Sequence, residues 1–284
     1  FENSISYGTE NPGEGLAEQN PAEIYRASFE LLGQMAEKYR DEELYITFSS
    51  VMHSIMLVDK KGDNLTPLII WADTRARQEC RKLEQKYGND LFYKNTACPL
   101  HSTYWPSKIL WLKQQFSNME DLKIVSIKEY IVYHLIGEWK VDRGLASTSG
   151  IFNIRENRYD NKLMNVLGVC REQFSEAVAN SYTFDFEIKG KKITGVMGAT
   201  DRVLVNLGVR AINQGDIVLT VGSSSAVRAV TKKPVFDPER KAWRYILDED
   251  YYVIGEASNG AGLLLEWLAR LFRYDDAKEM VAEN

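Results

Sequence analysis

The chain has 284 residues, 44% hydrophobic, 26% charged and 11% aromatic, with 40 acidic against 35 basic side chains and a formal charge of −5. This globular composition excludes disorder, collagen and coiled coil, and the acidic balance, with only short basic runs such as Lys189–Lys192, argues against a nucleic-acid footprint. No apolar run approaches the roughly 20 residues that a spanning helix needs, and three scattered cysteines, Cys80, Cys98 and Cys170, fit a reduced cytoplasmic protein.

At roughly 100–200 residues per domain, the length predicts about two domains. Apolar residues at Ile24, Ala27, Leu31, Leu32 and Met35 predict a helix over Pro21–Tyr39, capped by Asn20. Leu44–Phe48 and Ser54–Val58 read as buried strands around the loop Ser49–His53. A turn at Lys61–Asp63 precedes the apolar run Pro67–Trp71. Thr74–Tyr87 is a surface helix, Lys108–Gln115 a buried one, and Ile127–Leu135 a third that stops at Gly137. Ile193–Met197 is a strand entering Gly198–Asp201, followed by a helix to Gly208. Asp216–Val221 and Ala226–Val230 flank Gly222–Ser225 as a hairpin. Tyr251–Ile254 is a strand, and Gly262–Phe272 and Tyr274–Glu283 are helices. Alternating strands and helices imply an α/β fold, with a domain boundary near Asn213. Because the chain starts at Phe1 and stops at Asn284 inside an expected helix, it is read as part of a longer protein.

Several signatures are absent. There is no Walker-type phosphate loop and no His-Glu-x-x-His, and histidines at 53, 101 and 134 make no local zinc site, so no metal ligands are assigned. Gly260-Ala261-Gly262 has Leu265 where a dinucleotide fingerprint needs its third glycine. Asp201 lies just after a buried strand, where α/β proteins bind ligands, and would serve as a general base; a plain helix cap explains it as well. Gly222-Ser223-Ser224-Ser225 offers backbone N–H groups and hydroxyls to an oxyanion, or is simply a hairpin turn. Trp71, Asp73 and Arg75 combine an aromatic face, a carboxylate and a guanidinium, a set suited to a polyol, against core packing and capping as the plainer explanation.

The order of these motifs resembles the FGGY family of carbohydrate kinases. The matching pieces are Gly15-Leu16-Ala17-Glu18-Gln19-Asn20-Pro21, Met52-His53, Trp71-Ala72-Asp73-Thr74-Arg75, Lys108–Lys113, Lys128-Glu129-Tyr130 with Leu135–Glu138, Gly198-Ala199-Thr200-Asp201, Gly222–Ser225 and Asn259-Gly260. Trp71-Ala72-Asp73, Cys98-Pro99-Leu100-His101 and Met52-His53-Ser54 are most similar to gluconate kinases, with xylulose kinases as the runner-up. The resemblance implies a two-domain ribonuclease-H-like fold of the actin/hexokinase type. The chain would cover most of the first, sugar-binding domain (1–212) and the start of the nucleotide-binding domain (213–284). It implies phosphoryl transfer from ATP with Mg²⁺ to a terminal hydroxyl of an open-chain sugar acid, with Asp201 as base. Met52, His53, Trp71 and Asp73 fall at sugar-contacting positions, with Arg75 or His101 as partner of a substrate carboxylate. Gly222, Ser223, Ser224, Ser225, Asn259 and Gly260 fall at nucleotide-contacting positions.

The family's Asp-x-Gly-Thr-Thr strand and adenosine loop are expected outside Phe1–Asn284, the connection Asn180–Ile193 is short, and Arg202 replaces a small or uncharged residue. Expected partners are a small-molecule sugar or sugar acid, with a homodimer left open, and neither nucleic acid nor membrane. The rival readings are a xylulose or other polyol kinase, a non-catalytic sugar sensor on the same fold, and a serine hydrolase using Ser224.

Overall fold

The computed structural model describes residues 2–116, 118–222, 224–234, 236–258 and 260–274. The expected Tyr274–Glu283 helix therefore lies outside the described residues, apart from Tyr274. The first helix runs Pro21–Lys38; Asn20 accepts the Ala22 N–H at 3.0 Å and Pro21 fills the first turn, where no donor is needed. Of the expected apolar set Ile24, Ala27 and Leu32 are buried, together with Ala36, while Leu31 and Met35 are only half-buried. Helix Ile127–Ile136 begins with a capping box between Ser126 and Glu129 and ends on Gly137 in the left-handed region.

Three strands build the sheet that matters most, in the order Thr183–Ile188, Lys191–Thr200, Tyr45–Ser50. The first two form an antiparallel hairpin, and the last two run parallel. Within the parallel pair Thr194 lies opposite Tyr45 and Thr200 opposite Ser50, with a register shift between Val196 and Ala199. The shift sits at Gly198, whose φ is 67°; a Cβ there would lie 2.3 Å from the Phe48 carbonyl oxygen, so the kink requires glycine. Among the described residues the other edge of Tyr45–Ser50 is unpaired, and an apolar groove lined by Leu31, Leu32, Met35, Ile46, Phe48 and Ile131 lies beside this strand.

Residues 217–258 form a separate antiparallel sheet in the order Ile217–Val221, Ser225–Thr231, Tyr251–Ser258, Trp243–Asp248. Its inner residues Val230, Trp243, Tyr245, Ile246 and Val253 share one core with Ile55, Phe92, Ile109, Leu145 and Phe152. Backbone bonds from Arg244 N–H to the Ala97 carbonyl and from Ile246 N–H to Ser147 Oγ fasten the two parts. The outer side of this sheet exposes Ile217, Leu219, Val221 and Val227, and helix Gly262–Phe272 exposes Leu264, Trp267, Leu271 and Phe272. No helix among the described residues is long and apolar enough to cross a membrane.

One buried ion pair joins three elements. Lys128 Nζ donates to Asp142 Oδ2 at 2.5 Å and lies 3.4 Å from the Ala199 carbonyl, while Asp142 Oδ1 accepts Leu145 N–H at 2.6 Å to start helix Arg143–Ser147. Removing one partner of a buried pair leaves an uncompensated charge. Lys128→Met is therefore expected to cost about 3–5 kcal/mol in urea unfolding. Lys128→Met with Asp142→Asn, which keeps the cap and removes the charge, should recover more than half of that loss; no recovery would mean the pair is not the anchor.

Candidate active site

Strands Tyr45–Ser50 and Lys191–Thr200 end side by side, so the loop Val51–His53 and Asp201 leave the sheet at the same carboxyl edge. The Asp201–Gly208 helix is capped by Thr200, whose Oγ1 accepts Val203 N–H at 3.3 Å. The capping role considered for Asp201 thus belongs to its neighbour. Asp201 is the first helical residue, and its exposed carboxylate accepts only the Arg202 N–H, at 2.8 Å, among the described residues. The surrounding protein desolvates this carboxyl and raises its pKa, while the Arg202 N–H and the charges of Arg202 and Arg228 pull it back.

Lys108 organises the loops next to this edge. It lies on helix Trp105–Gln115, fully buried, and its ammonium donates to the His53 carbonyl at 2.8 Å and the Ile70 carbonyl at 2.9 Å. One nitrogen therefore clamps the His53 loop to the loop that begins at Trp71. Burial pulls the Lys108 pKa down to about 7, with the Asp73 carboxylate opposing and Arg75 assisting. A third segment joins through Thr103 Oγ1, which donates to the Trp71 carbonyl at 3.0 Å, and through Tyr104, whose ring lies 4.9 Å from that of His53. Tyr104 and Tyr245 share a hydroxyl–hydroxyl bond of 2.7 Å, which ties this wall to the second sheet.

Each imidazole is held in a defined tautomer. The His53 Nδ1 is 3.0 Å from the Thr148 carbonyl, which can only accept, so Nδ1 carries the proton and Nε2 presents a bare lone pair. Burial, with the Lys108 charge behind it, pulls the His53 pKa down to about 3. His53 also stands at φ 65°, a conformation that this loop must impose on a non-glycine residue. His101 is the converse: its Nδ1 accepts Thr103 N–H at 3.2 Å, leaving the proton on Nε2 as a donor. Burial and the charges of Arg77 and Lys108 lower its pKa as well. Beside them Trp71 is 43% exposed, so the plainer core reading does not hold for it. An acceptor, a donor and an exposed aromatic face, carried on three loops held together by Lys108 and Thr103, are the groups that suit the alternating C–H and O–H surface of a polyol.

Three of the expected contact residues point elsewhere. Met52 is only 8% exposed and packs in the main core. Asp73 is 2% exposed, and its carboxylate accepts Ala17 N–H at 2.7 Å, Arg75 N–H at 2.9 Å and the Arg75 guanidinium. Arg75 is held by Asp73 and by Glu18 at 2.6 Å, so this guanidinium is a brace of the Trp71 loop and not a free partner for a substrate carboxylate. The hairpin Gly222–Ser225 forms as expected: Gly222 N–H reaches the Ser224 carbonyl, Ser225 pairs with Ser258, and the Gly222 carbonyl accepts Gly262 N–H at 2.8 Å. Gly260 N–H donates to Ser258 Oγ, so the hairpin and the Gly260 turn are neighbours. Ser223 and Asn259 lie outside the described residues.

The residues that sequence reasoning passed over as site-builders are Lys108, Thr103, Tyr104, Tyr245 and Arg228. A lysine directly ahead of the apolar run Ile109–Leu112 and an arginine inside Ala226–Val230 were the available signals, since a charge at an inward position needs a partner. Two measurements check this wall. Imidazole NMR is expected to find His53 as the Nδ1–H tautomer with no titration down to pH 5, because its folded pKa of about 3 lies below the unfolded value of 6.5. Stability tied to this group should then fall as pH drops below about 6.5. Lys108→Met leaves two carbonyls without a donor and should cost about 2–4 kcal/mol. A loss under about 0.5 kcal/mol would refute the clamp.

The chain is similar to known proteins along most of its length. Residues 2–208 match the model of the N-terminal domain of the FGGY family of carbohydrate kinases. A gluconokinase of Bacillus subtilis (strain 168) is 33% identical over 276 residues, covering 93% of this chain and 54% of that protein. A xylulose kinase of Staphylococcus xylosus is 24% identical over 291 residues, covering 96% and 59%. Among solved structures, a gluconate kinase from Lactobacillus acidophilus superposes with a TM-score of 0.86 at 28% identity, over 94% of this chain and 56% of that one. A Plasmodium falciparum glycerol kinase with ADP gives a TM-score of 0.88 at 19% identity over 98% and 60%, a likeness of fold. The chain thus spans about half the length of the curated relatives it matches. With its actin/hexokinase-like α/β architecture and its matching first 208 residues, the chain belongs to the FGGY family of carbohydrate kinases.

Proposed function

We propose that the protein is an ATP-dependent sugar kinase that phosphorylates a terminal hydroxyl of an open-chain sugar acid, gluconate foremost. The observation that carries this reading is the position of Asp201, a carboxylate freed from capping by Thr200 and set at the same sheet edge as the His53 loop. A sugar hydroxyl is a poor nucleophile at pH 7, and a carboxylate within hydrogen-bond reach takes its proton as the bond to phosphorus forms. In this reading the His53 Nε2 accepts from one hydroxyl, the His101 Nε2–H donates to an oxygen, and Trp71 packs against the C–H face of the chain. His101, with Arg77 near it, is assigned to the substrate carboxylate in place of Arg75.

ATP would supply the phosphoryl group, and Gly222, Ser224, Ser225 and Gly260 are assigned to its phosphate side. Mg²⁺ would accompany the nucleotide and offset the charge of the transferring phosphoryl group. The preference for gluconate is supported by the 33% identity to a gluconokinase. A second reading, a xylulose or other polyol kinase, is favoured by a ligand-bound xylulose kinase from Lactobacillus acidophilus that superposes with a TM-score of 0.85 at 28% identity. A cytoplasmic location, expected from the reduced cysteines, goes with either reading, and all three cysteines are free.

ADP release from the intact protein, measured against a panel of gluconate, other sugar acids, xylulose, ribulose and glycerol, separates the two. Turnover with gluconate exceeding that with every neutral sugar is expected, and equal or higher turnover with xylulose would displace it. Asp201→Asn should lower kcat by about 10²–10⁴-fold with sugar binding intact; near-normal kcat would overturn the base assignment. The raised carboxyl pKa puts the acid limb of the kcat/KM profile above the ordinary carboxylate value of about 4, with activity falling as the base is protonated.

A further inference from the structure

Arg228 is the least expected charge in the molecule. It lies at the centre of strand Ser225–Thr231, on the inward row with Ala226 and Val230, and is only 1% exposed. Its Nη1 donates to Thr220 Oγ1 at 2.8 Å; its Nε is buried with no acceptor, and no carboxylate forms an ion pair with it among the described residues. The charges that act on it are those of Arg202 and Asp201, and a Tyr245 hydroxyl lies on the same side. Arg202 follows Asp201 on the helix that packs against this strand, and its guanidinium has no hydrogen bond among the described residues. Packing of helix Asp201–Gly208 against this strand thus brings two arginines and one aspartate into one region, with an excess of positive charge that acts on Arg228. Desolvating such groups without a matched anion is costly. A guanidinium fork is shaped for the paired oxygens of phosphate.

We propose that Arg228 and Arg202 form a binding site for a phosphoryl anion beside Asp201, which receives the group during transfer and the phosphate monoester afterwards. The proposal rests on the kinase reading for its role in the reaction, though the site itself needs only an anion. The position favours phosphate over the carboxylate of a sugar acid. In a six-carbon acid the terminal hydroxyl that meets the base and the carboxylate are at opposite ends of the chain, and His101 lies on the wall built around Lys108. Ser225 is three residues from Arg228 along the same strand, roughly 10 Å, and belongs to the opposite row of side chains, so the serine hairpin adjoins the arginine pair along the strand without sharing its face. Arg202, a departure from the small residue expected after the base, thereby gains a function.

Calorimetric titration of the intact protein tests this with three probes: inorganic phosphate, gluconate and 6-phosphogluconate. Arg228→Gln and Arg202→Gln, each checked by thermal unfolding, are expected to weaken inorganic phosphate and 6-phosphogluconate by about tenfold or more, with gluconate affinity unchanged. Arg228→Lys keeps the charge but loses the fork and should fall between. If Arg228→Gln does not fold, Arg202→Gln and Arg228→Lys decide. Unchanged phosphate affinity in the folded variants, or no phosphate binding by the unaltered protein, overturns the site. A loss of gluconate binding equal to that of 6-phosphogluconate overturns it in favour of a carboxylate pocket. If neither sugar acid binds while phosphate binding still depends on both arginines, the anion site stands and the gluconate reading falls.

Discussion

A single buried ammonium holds the candidate site together. Lys108 joins the His53 and Ile70 carbonyls, and these belong to two loops that are far apart along the chain and carry the imidazole and the tryptophan. A buried amine is expensive to desolvate, and its pKa of about 7 records that expense. Two carbonyl acceptors offset much of it, and the geometry they impose is directional. The same loops are then braced from behind by Asp73 and Arg75, whose charges neutralise each other below the Trp71 loop. The result is a wall whose polar atoms were set in place before any ligand arrives, which is the condition for selective binding at low ordering cost.

The placement of Asp201 beside these loops follows from strand register. Parallel pairing of Tyr45–Ser50 with Lys191–Thr200 brings His53 and Asp201 to one edge, and the kink at Gly198 comes just before the point where the second strand gives way to its helix. Thr200 caps that helix, so the carboxylate of Asp201 needs no internal partner beyond one N–H. Lys128 and Asp142 secure the same strand end from within the core through the Ala199 carbonyl. Tyr104 and Tyr245 tie the Lys108 loops to the second sheet, and that sheet carries Arg228, on which the Asp201 charge acts. Continuity of one apolar core across both parts gives these side chains a common frame.

Local signals in the sequence were sufficient for most elements. Asn20 with Pro21 marked a helix start that is found at that residue, Gly137 marked a stop, and the β-branched runs around Gly222 marked the hairpin. Short pieces stayed hidden for a physical reason. Strand Thr183–Ile188 and helices Asn89–Thr96 and Arg143–Ser147 lack a long period, and they are stabilised by partners distant in sequence.

By itself the sequence determined the α/β class and the order of motifs, because these depend on local pattern and on residue type. Tertiary structure decided which polar side chains satisfy one another and which keep a free donor or acceptor. Asp73 and Arg75 have the chemistry of a binding pair but satisfy each other, whereas His53 and His101 gain opposite hydrogen-bonding roles from the Thr148 carbonyl and the Thr103 N–H. That distinction is a matter of who is within 3 Å of whom, roughly the length of a hydrogen bond, and no linear pattern encodes it.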